Sequence, residues 1–206
     1  MSERTITVVS AGLARPSSSR LLADQLAAAA GRAVADAGGL ASIEVIELRD
    51  LAVDIANRFV TGYAAPRLAA ALRQVEEADA LIAVTPVFSA SYSGLFKSFF
   101  DLVDNKALEG KPVLMGATGG TSRHSMVLDF ALRPLFSYLR ASVVPTAVYA
   151  APEDWGAGEN GVGQLSGRIA RAGRELSEAL GTARPAHPRR EVDGASFEDL
   201  MAGLSR

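Results

Sequence analysis

Serine residues are gathered between the first apolar stretch of the chain and the helical pattern that follows it. The segment reads SAGLARPSSSR from Ser10 to Arg20 and follows the strand-like run TITVV. Backbone N–H groups at a helix start attract anions, and serine hydroxyls add further donors. The segment therefore favours a phosphate-binding loop, with a serine that only caps the helix as the alternative. It is neither a Walker A loop nor a GxGxxG fingerprint.

A second loop with small polar residues follows another apolar run. It reads TPVFSASYSGLFKSFFDLVD from Thr85 to Asp104. Pro86 lacks a backbone N–H and is expected to end the strand, after which residues 87–89 offer backbone amides and an aromatic ring edge. The helical pattern Leu95–Val103 is strongly apolar. Its surplus apolar face indicates either ordinary core or an interface between subunits.

A third loop of this kind is rich in glycine. It reads GATGGTSRHS from Gly116 to Ser125. Glycines after a buried strand allow the backbone to approach a flat ligand closely. Arg123 is a candidate to meet a ligand phosphate, with a plain surface charge as the alternative. His124 is more typical of a surface residue than of a catalyst.

The elements that must position these loops alternate between strand and helix. All but the second apolar run are nearly continuous in apolar residues, as in parallel strands covered on both faces, whereas the second alternates and is expected at a sheet edge. The predicted strands are Ile6–Ser10, Ile43–Leu48, Ala80–Thr85, Val113–Ala117 and Val143–Ala150. The predicted helices are Ser19–Ala37, Pro66–Glu77, Leu95–Val103, Ser125–Ser137 and Gly163–Leu180.

This alternation predicts an α/β fold with a flavodoxin-like, doubly wound, five-stranded parallel sheet. The expected strand order is 2-1-3-4-5, with helices on both faces. In such folds ligands lie at the carboxyl ends of the strands near the switch in strand order. The three loops follow strands 1, 3 and 4 and so share that end. Together they favour a phosphorylated planar ligand, and flavin mononucleotide (FMN) fits this description.

Composition and charge exclude several classes of function. The chain has 206 residues, is 49% hydrophobic, and carries a formal net charge of -2. The sequence contains no basic stripe that would indicate nucleic-acid binding. No apolar run approaches the length of a membrane span. The absence of cysteine removes disulfide and thiol chemistry, and two histidines make a metal centre unexpected. We expect a cytoplasmic protein, because the N-terminus does not read as a signal peptide.

The chain length suits one domain with a short appendage. We expect residues 1–180 to form the domain and residues 181–206 to form a tail. The tail reads as a linker, Gly181–Asp193, followed by a short docking helix, Phe197–Leu204. Trp155, in the segment PEDWGAG, indicates a packed turn, with contact to a flavin or nicotinamide of a partner subunit as the alternative.

Three segments, in order and spacing, resemble one enzyme family. They are SAGLARPSSSR, ADALIAVTPVFSASYSGLFKSFFD and GKPVLMGATGGTSRHS. They are similar to the NAD(P)H-dependent FMN reductases of the flavodoxin-like superfamily, and most of all to the FMN reductases partnered with luciferase-like flavin monooxygenases. The resemblance covers residues 4 to 180. Its most specific part is Thr-Pro followed by an aromatic residue, small polar residues and Gly-x-x-Lys.

The resemblance implies roles for individual residues. Ser10, Ser17 and Ser19 match positions of the phosphate loop, and Arg15 matches a basic position beside it. Many relatives carry arginine where this chain has Ala14, which leaves the role of Arg15 open. The remaining implied FMN contacts are the ring and ribityl residues Pro86, Val87, Phe88 and Ser89, the pyrimidine-end residues Thr118, Gly119 and Gly120, and the candidate Arg123.

The resemblance also implies the chemistry and the partners. The cofactors are FMN and NADPH or NADH, and no side chain is expected to act as a general acid or base, because the flavin carries the hydride chemistry. A dimer or tetramer through Leu95–Val103 and supply of reduced flavin to a monooxygenase are implied as well. Alternatives are a quinone- or azo-type reductase with bound FMN, a flavodoxin-like electron carrier without nicotinamide activity, and a non-catalytic scaffold.

Overall fold

The apolar runs of the sequence form one parallel sheet. A computed structural model describes residues 3–156 and 162–183. Its strands are β1 (Arg4–Ser10), β2 (Ala41–Glu47), β3 (Ala80–Phe88), β4 (Ser91–Tyr92), β5 (Pro112–Thr118), β6 (Ser142–Val143) and β7 (Val148–Ala150). They follow the order β2-β1-β3-β5-β6, with β4 paired to β3 and β7 to β5. The predicted edge position of the second strand is confirmed.

The fifth predicted strand is interrupted rather than continuous. Strands β6 and β7 both pair in parallel with β5. The chain advances from Val143 to Val148 while β5 advances only from Val113 to Gly116, so extra residues bulge out between them. Pro145 lies in this bulge and has no N–H to give to the ladder. Counted as one strand, β6 and β7 complete the predicted order 2-1-3-4-5.

Helices cover both faces of the sheet. They are α1 (Ser18–Asp36), α2 (Ala52–Thr61), α3 (Pro66–Glu77), α4 (Gly94–Phe100), α5 (Arg133–Tyr138) and α6 (Val162–Thr182). Shorter turns are the 3-10 turns Leu48–Leu51, Ser122–His124 and Pro152–Trp155 and the π-helical turn Leu128–Leu132. The sequence did not predict α2, and the helix predicted from Ser125 is divided between the π-helical turn and α5.

The two faces of the sheet have separate cores. Helices α1 and α6 pack on one face over a cluster that contains Ile82, Leu114 and Ile169. Trp155 packs against this cluster, which confirms the packed turn that the sequence indicated. The other face holds the remaining helices around a cluster of aromatic rings, in which Phe100 and Phe136 lie edge to face with centroids 5.1 Å apart.

The apolar surplus of the segment 95–103 belongs to this second core. Phe96, Phe99 and Phe100 are at most 1% exposed and contact other residues of the same chain. The expectation that these aromatic side chains form a subunit interface is therefore wrong, and the core alternative holds. They were hard to assign from sequence because an apolar helix face can pack on the core of its own chain or on another subunit.

The C-terminal tail lies mostly outside the described residues. Helix α6 continues to Thr182, so the first two residues of the predicted linker are helical. The predicted docking helix Phe197–Leu204 lies outside the described residues. Within the described ranges, no helix has the length and apolar character needed to cross a membrane.

Candidate functional site

Strand register brings the three loops of the sequence analysis to one edge of the sheet. Ser10 at the end of β1 lies opposite Val84 of β3, and Pro86 of β3 lies opposite Thr118 at the end of β5. The three strands are neighbours, so their loops leave the sheet side by side. The first loop is residues 11–17, the second is the β3–β4 turn, and the third is residues 119–125.

The first loop presents buried donors that have no partner. The Oγ of Ser10 is buried and makes no hydrogen bond. Gly12 and Ser19 are buried, and their backbone N–H groups donate to no acceptor among the described residues. An unpaired buried donor is costly, so such a group indicates a ligand or ordered water that completes it. The start of α1 is therefore built to receive an acceptor-rich group such as a phosphate.

Ser17 has the capping role that the sequence analysis offered as its alternative. Its Oγ accepts a hydrogen bond from the Arg20 N–H at 3.2 Å and so caps α1. The loop folds tightly over this hydroxyl, because a Cβ added at Gly12 would lie 2.0 Å from Ser17 Oγ. A side chain at position 12 would force Ser17 to move, so the cap depends on this close approach.

A buried hydrogen bond joins the first loop region to the third. The hydroxyls of Ser19 and Thr118 lie 2.7 Å apart, and both residues are almost fully buried. This bond spans the first turn of α1 and the end of β5. The two predicted binding segments are thus held in a fixed relation to each other.

The third loop is held from beneath by Tyr149 of β7. The Tyr149 hydroxyl donates to the Thr121 carbonyl at 2.7 Å, and a Cβ added at Gly119 would lie 2.2 Å from that hydroxyl. Burial, together with the nearby carboxylates of Glu153 and Asp154, raises the pKa of Tyr149, so the ring stays a neutral donor. Glu153 accepts from the Ser122 N–H at 3.1 Å.

The second loop is a tight hairpin and not the strand end that Pro86 was expected to cause. Strand β3 continues through Pro86 to Phe88, and Ser89 and Ala90 turn the chain with φ angles of 48° and 65°. Strand β1 has already ended opposite Val84. Pro86, which has no N–H, is tolerated at its position because β3 has no partner strand on the β1 side beyond Val84.

The hairpin carries the predicted ring-contact residues toward the third loop. A Cβ added at Gly119 would lie 3.5 Å from Val87 Cβ, so the second and third loops touch. Pro86 and Val87 are half-buried, whereas Phe88 is 48% exposed and Ser89 is also exposed. The Thr85 hydroxyl fixes the return of the hairpin by accepting from the Ser93 N–H at 3.0 Å.

Two predicted arginines are not drawn into this arrangement. Arg15 is 72% exposed and pairs with Asp50 at 3.5 Å. Arg123 lies in an exposed 3-10 turn. Gly120 is exposed too, and a Cβ added there would meet nothing within 4 Å. The structure therefore brings Ser19 together with Thr118 and Gly119 together with Val87, whereas Arg15 and Arg123 are exposed.

Residues at the end of β2, in the 3-10 turn after it and in β7 support the site and were not singled out in the sequence. Arg49 donates to the Ala14 carbonyl in the first loop at 2.8 Å, and Glu47 pairs with both Arg20 and Arg49. Tyr149 supports the third loop. The sequence signal for Glu47 and Arg49 was the charged pattern Glu-x-Arg-Asp at the end of the edge strand. This pattern lies at the same sheet end as the loops.

The chemistry of this donor set fits FMN. The arginines around the first loop, Arg15, Arg20 and Arg49, are each paired with a carboxylate. A phosphate would therefore be held by N–H groups, hydroxyls and the dipole of α1 rather than by a free cation. The glycine-containing third loop and the Pro86–Val87 segment lie in contact with each other at the same sheet end. The fold and this site define an α/β domain suited to a phosphorylated planar ligand.

Comparisons with known proteins agree with this assignment. The family model for NADPH-dependent FMN reductase matches residues 4–156. An FMN reductase (NADPH) of Pseudomonas aeruginosa is 41% identical over 73% of this chain and 78% of its own length. The NADH-dependent FMN reductase SfnF of Pseudomonas fluorescens is 37% identical over 86% of this chain and 92% of its own. The chain belongs to the NADPH-dependent FMN reductase family.

Solved structures show the same fold. An oxidoreductase from Corynebacterium diphtheriae superposes with a TM-score of 0.83 at 46% identity, covering 87% of this chain and 97% of the other. A flavodoxin, WrbA-like protein from Agrobacterium tumefaciens reaches a TM-score of 0.58 at 16% identity, covering 89% of this chain and 100% of the other. The flavodoxin-like fold predicted from the sequence is confirmed.

Proposed function

We propose that this protein is an NAD(P)H-dependent FMN reductase whose site is the edge formed by the three loops. The observation that carries the proposal is the set of buried, unpaired donors at Ser10, Gly12 and Ser19, which lies beside the Ser19–Thr118 bond. When bound there, FMN supplies the hydride-accepting chemistry. Membership of the FMN reductase family gives independent support.

The protein's own residues bind and orient the ligand. Ser10 Oγ and the N–H groups of Gly12 and Ser19 would hold the phosphate, and the half-buried Val87 and the backbone at Gly119 would lie against the ring. N–H groups fixed at the ring edge favour negative charge that develops there. No side chain needs to transfer a proton, because the flavin would carry the hydride chemistry.

The test is oxidation of NADPH and of NADH, followed at 340 nm in air, with and without added FMN. We expect turnover that depends on FMN, and the ratio of the two rates gives the nicotinamide preference. Turnover without FMN dependence after removal of bound flavin would contradict the proposal. FMN binding without any turnover would favour the electron carrier instead.

We propose further that free reduced FMN is the product handed to a partner monooxygenase in the cytoplasm. The supporting observation is that the ring end of the site is open, since Phe88, Ser89 and Gly120 are exposed. A quinone- or azo-type reductase is the rival. Product formation by a flavin-dependent monooxygenase in the presence of catalase, at rates matching FMN reduction, supports transfer. Faster turnover with a quinone than with FMN would support the rival.

We also propose a homodimer or homotetramer, through a surface other than the aromatic residues of α4. The helical layer over the aromatic core exposes large apolar side chains on α2 and on the π-helical turn, among them Val60 at 87% and Phe130 at 74%. Sedimentation should show Phe130→Asp at a lower mass than the wild type. Leu40→Asp, on the far side of the sheet, is the matched control and should keep the wild-type mass.

A further inference from the structure

A chain of ion pairs links the end of β2 to the first loop. Glu47 closes β2, and its two carboxylate oxygens bind different arginines. Glu47 Oε1 accepts from Arg20 Nη1 at 2.6 Å, and Oε2 pairs with Arg49 Nη2 at 2.5 Å. Arg20 lies in the first turn of α1 and also pairs with Asp24 at 2.8 Å. We call Arg20, Glu47 and Arg49 the Glu47 network.

Arg49 extends this network into the first loop. Its Nη1 donates to the Ala14 carbonyl at 2.8 Å. The peptide bond between Ala14 and Arg15 is trans. In a trans peptide the C=O and the N–H point in opposite directions. By fixing the carbonyl, Arg49 therefore also fixes the direction of the Arg15 N–H.

Arg49 is better placed for this role than the arginine that the sequence singled out. The Arg49 side chain is 16% exposed, whereas that of Arg15 is 72% exposed. A guanidinium can donate to a carboxylate and to a carbonyl at once from fixed, coplanar positions. Held by Glu47 on one edge, the Arg49 guanidinium presents a preset donor to the loop. Arg49 lies in the 3-10 turn that follows β2 directly, so its backbone is anchored beside the edge strand.

We propose that Arg49 is a positioning residue that preorganises the first loop for the phosphate of FMN. It acts through the Ala14 carbonyl and touches neither the ligand nor the nicotinamide. The inference rests on the proposed function, because it takes the first loop as the phosphate site. A loop ordered before binding does not have to be ordered by the ligand, so affinity increases. This benefit concerns only ligands that use the loop.

A comparison of FMN with riboflavin isolates this effect. Riboflavin has the same ring and ribityl chain but no phosphate. Affinities of both flavins are measured by quenching of flavin fluorescence in the wild type, Arg49→Met and Arg49→Lys. Arg140→Met is the matched control, since Arg140 pairs with Glu109 at 3.7 Å on the surface and lies away from the loops. Circular dichroism establishes which variants are folded.

Arg49→Met should raise the Kd for FMN by about tenfold or more, the effect of one lost charge-assisted hydrogen bond. The Kd of Arg49→Met for riboflavin should stay within about twofold of the wild-type value. For Arg140→Met, the Kd for FMN and the Kd for riboflavin should both stay within this range. Arg49→Lys keeps the charge but cannot serve Glu47 and Ala14 together, so its FMN affinity should be intermediate. The kcat at saturating FMN should be unchanged.

Two results would overturn the role of Arg49. One is an equal loss of affinity for both flavins, which marks a general structural effect. The other is unchanged FMN affinity in a folded variant, and Arg49→Lys serves this purpose if Arg49→Met does not fold. A wild type that binds riboflavin as tightly as FMN, yet still reduces FMN, would overturn the phosphate loop itself. A wild type that reduces no flavin would overturn the proposed function.

Discussion

The hydrogen bond between Ser19 and Thr118 gives the sharpest prediction about how the site is held together. Both residues are buried, and the oxygens lie 2.7 Å apart. Ser19→Ala leaves the Thr118 hydroxyl without its partner, and Thr118→Val does the same to Ser19. Each substitution should lower the free energy of unfolding by about 1–3 kcal/mol, the cost of an unpaired buried polar group.

The double variant distinguishes this bond from two independent effects. With both hydroxyls removed, no polar group is left unpaired, so Ser19→Ala with Thr118→Val should be less destabilised than the sum of the single variants. We expect a coupling of about 1 kcal/mol or more. Urea unfolding of the flavin-free protein measures all four states of the cycle. Additive losses would refute the argument that this bond joins the two loops.

The same cycle extends to ligand binding. The Ser19 N–H remains in Ser19→Ala, so FMN affinity should fall only through displacement of the loops and loss of the hydroxyl. Together with Ser17→Ala, which removes the cap of α1, the loss of FMN affinity should be about 1–3 kcal/mol, because each of the two hydroxyl bonds that hold the loop is worth about 0.5–1.5 kcal/mol. Fluorescence titration with FMN measures it. Unchanged affinity would remove the first loop from the binding site.

Three further predictions concern stability. Burial lowers the pKa of Lys111 to about 8 from 10.5. The Lys111 amine therefore holds its proton more tightly in the unfolded chain than in the folded protein. Relative to Lys111→Met, the free energy of unfolding should rise from about pH 8 toward pH 10, by up to about 1.4 kcal/mol per pH unit. Denaturant titrations at several pH values that give parallel profiles would contradict this. Gly119→Ala should lower the melting temperature, at a cost of about 1–3 kcal/mol for the contact with the Tyr149 hydroxyl, whereas Gly120→Ala should not. Phe96→Ala should cost about 3–5 kcal/mol in urea unfolding, because the ring is fully buried; a loss below 1 kcal/mol would place it outside the core.

Strand positions were predictable because short, continuous apolar runs bounded by turn residues are typical of buried parallel strands. The run Ala80–Thr85 is buried at every position, as a central parallel strand requires. The hairpin after it was not predictable. Its turn places Ser89 and Ala90 at positive φ, where glycine, asparagine or aspartate is the usual residue. Helix α2 was missed too, since it follows β2 directly through a 3-10 turn.

The site was predictable as far as local sequence determines it. A serine-rich segment before a helix predicts a cap or an anion site; Ser17 forms the cap, and the anion site stays a prediction. The partners of the arginines were not predictable, because these contacts join residues far apart in the chain. Arg15 meets Asp50, and Arg49 meets Ala14. Strand register, which brings the end of β2 beside the loop, determines these pairs.

The most direct test of the central claim is a crystal structure of the protein with bound FMN. The account predicts the phosphate within hydrogen-bond distance of Ser10 Oγ and of the N–H groups of Gly12 and Ser19, with the ring against the surface that Val87 and Gly119 form together. An FMN phosphate bound away from residues 10–19, with those donors still unpaired, would contradict it.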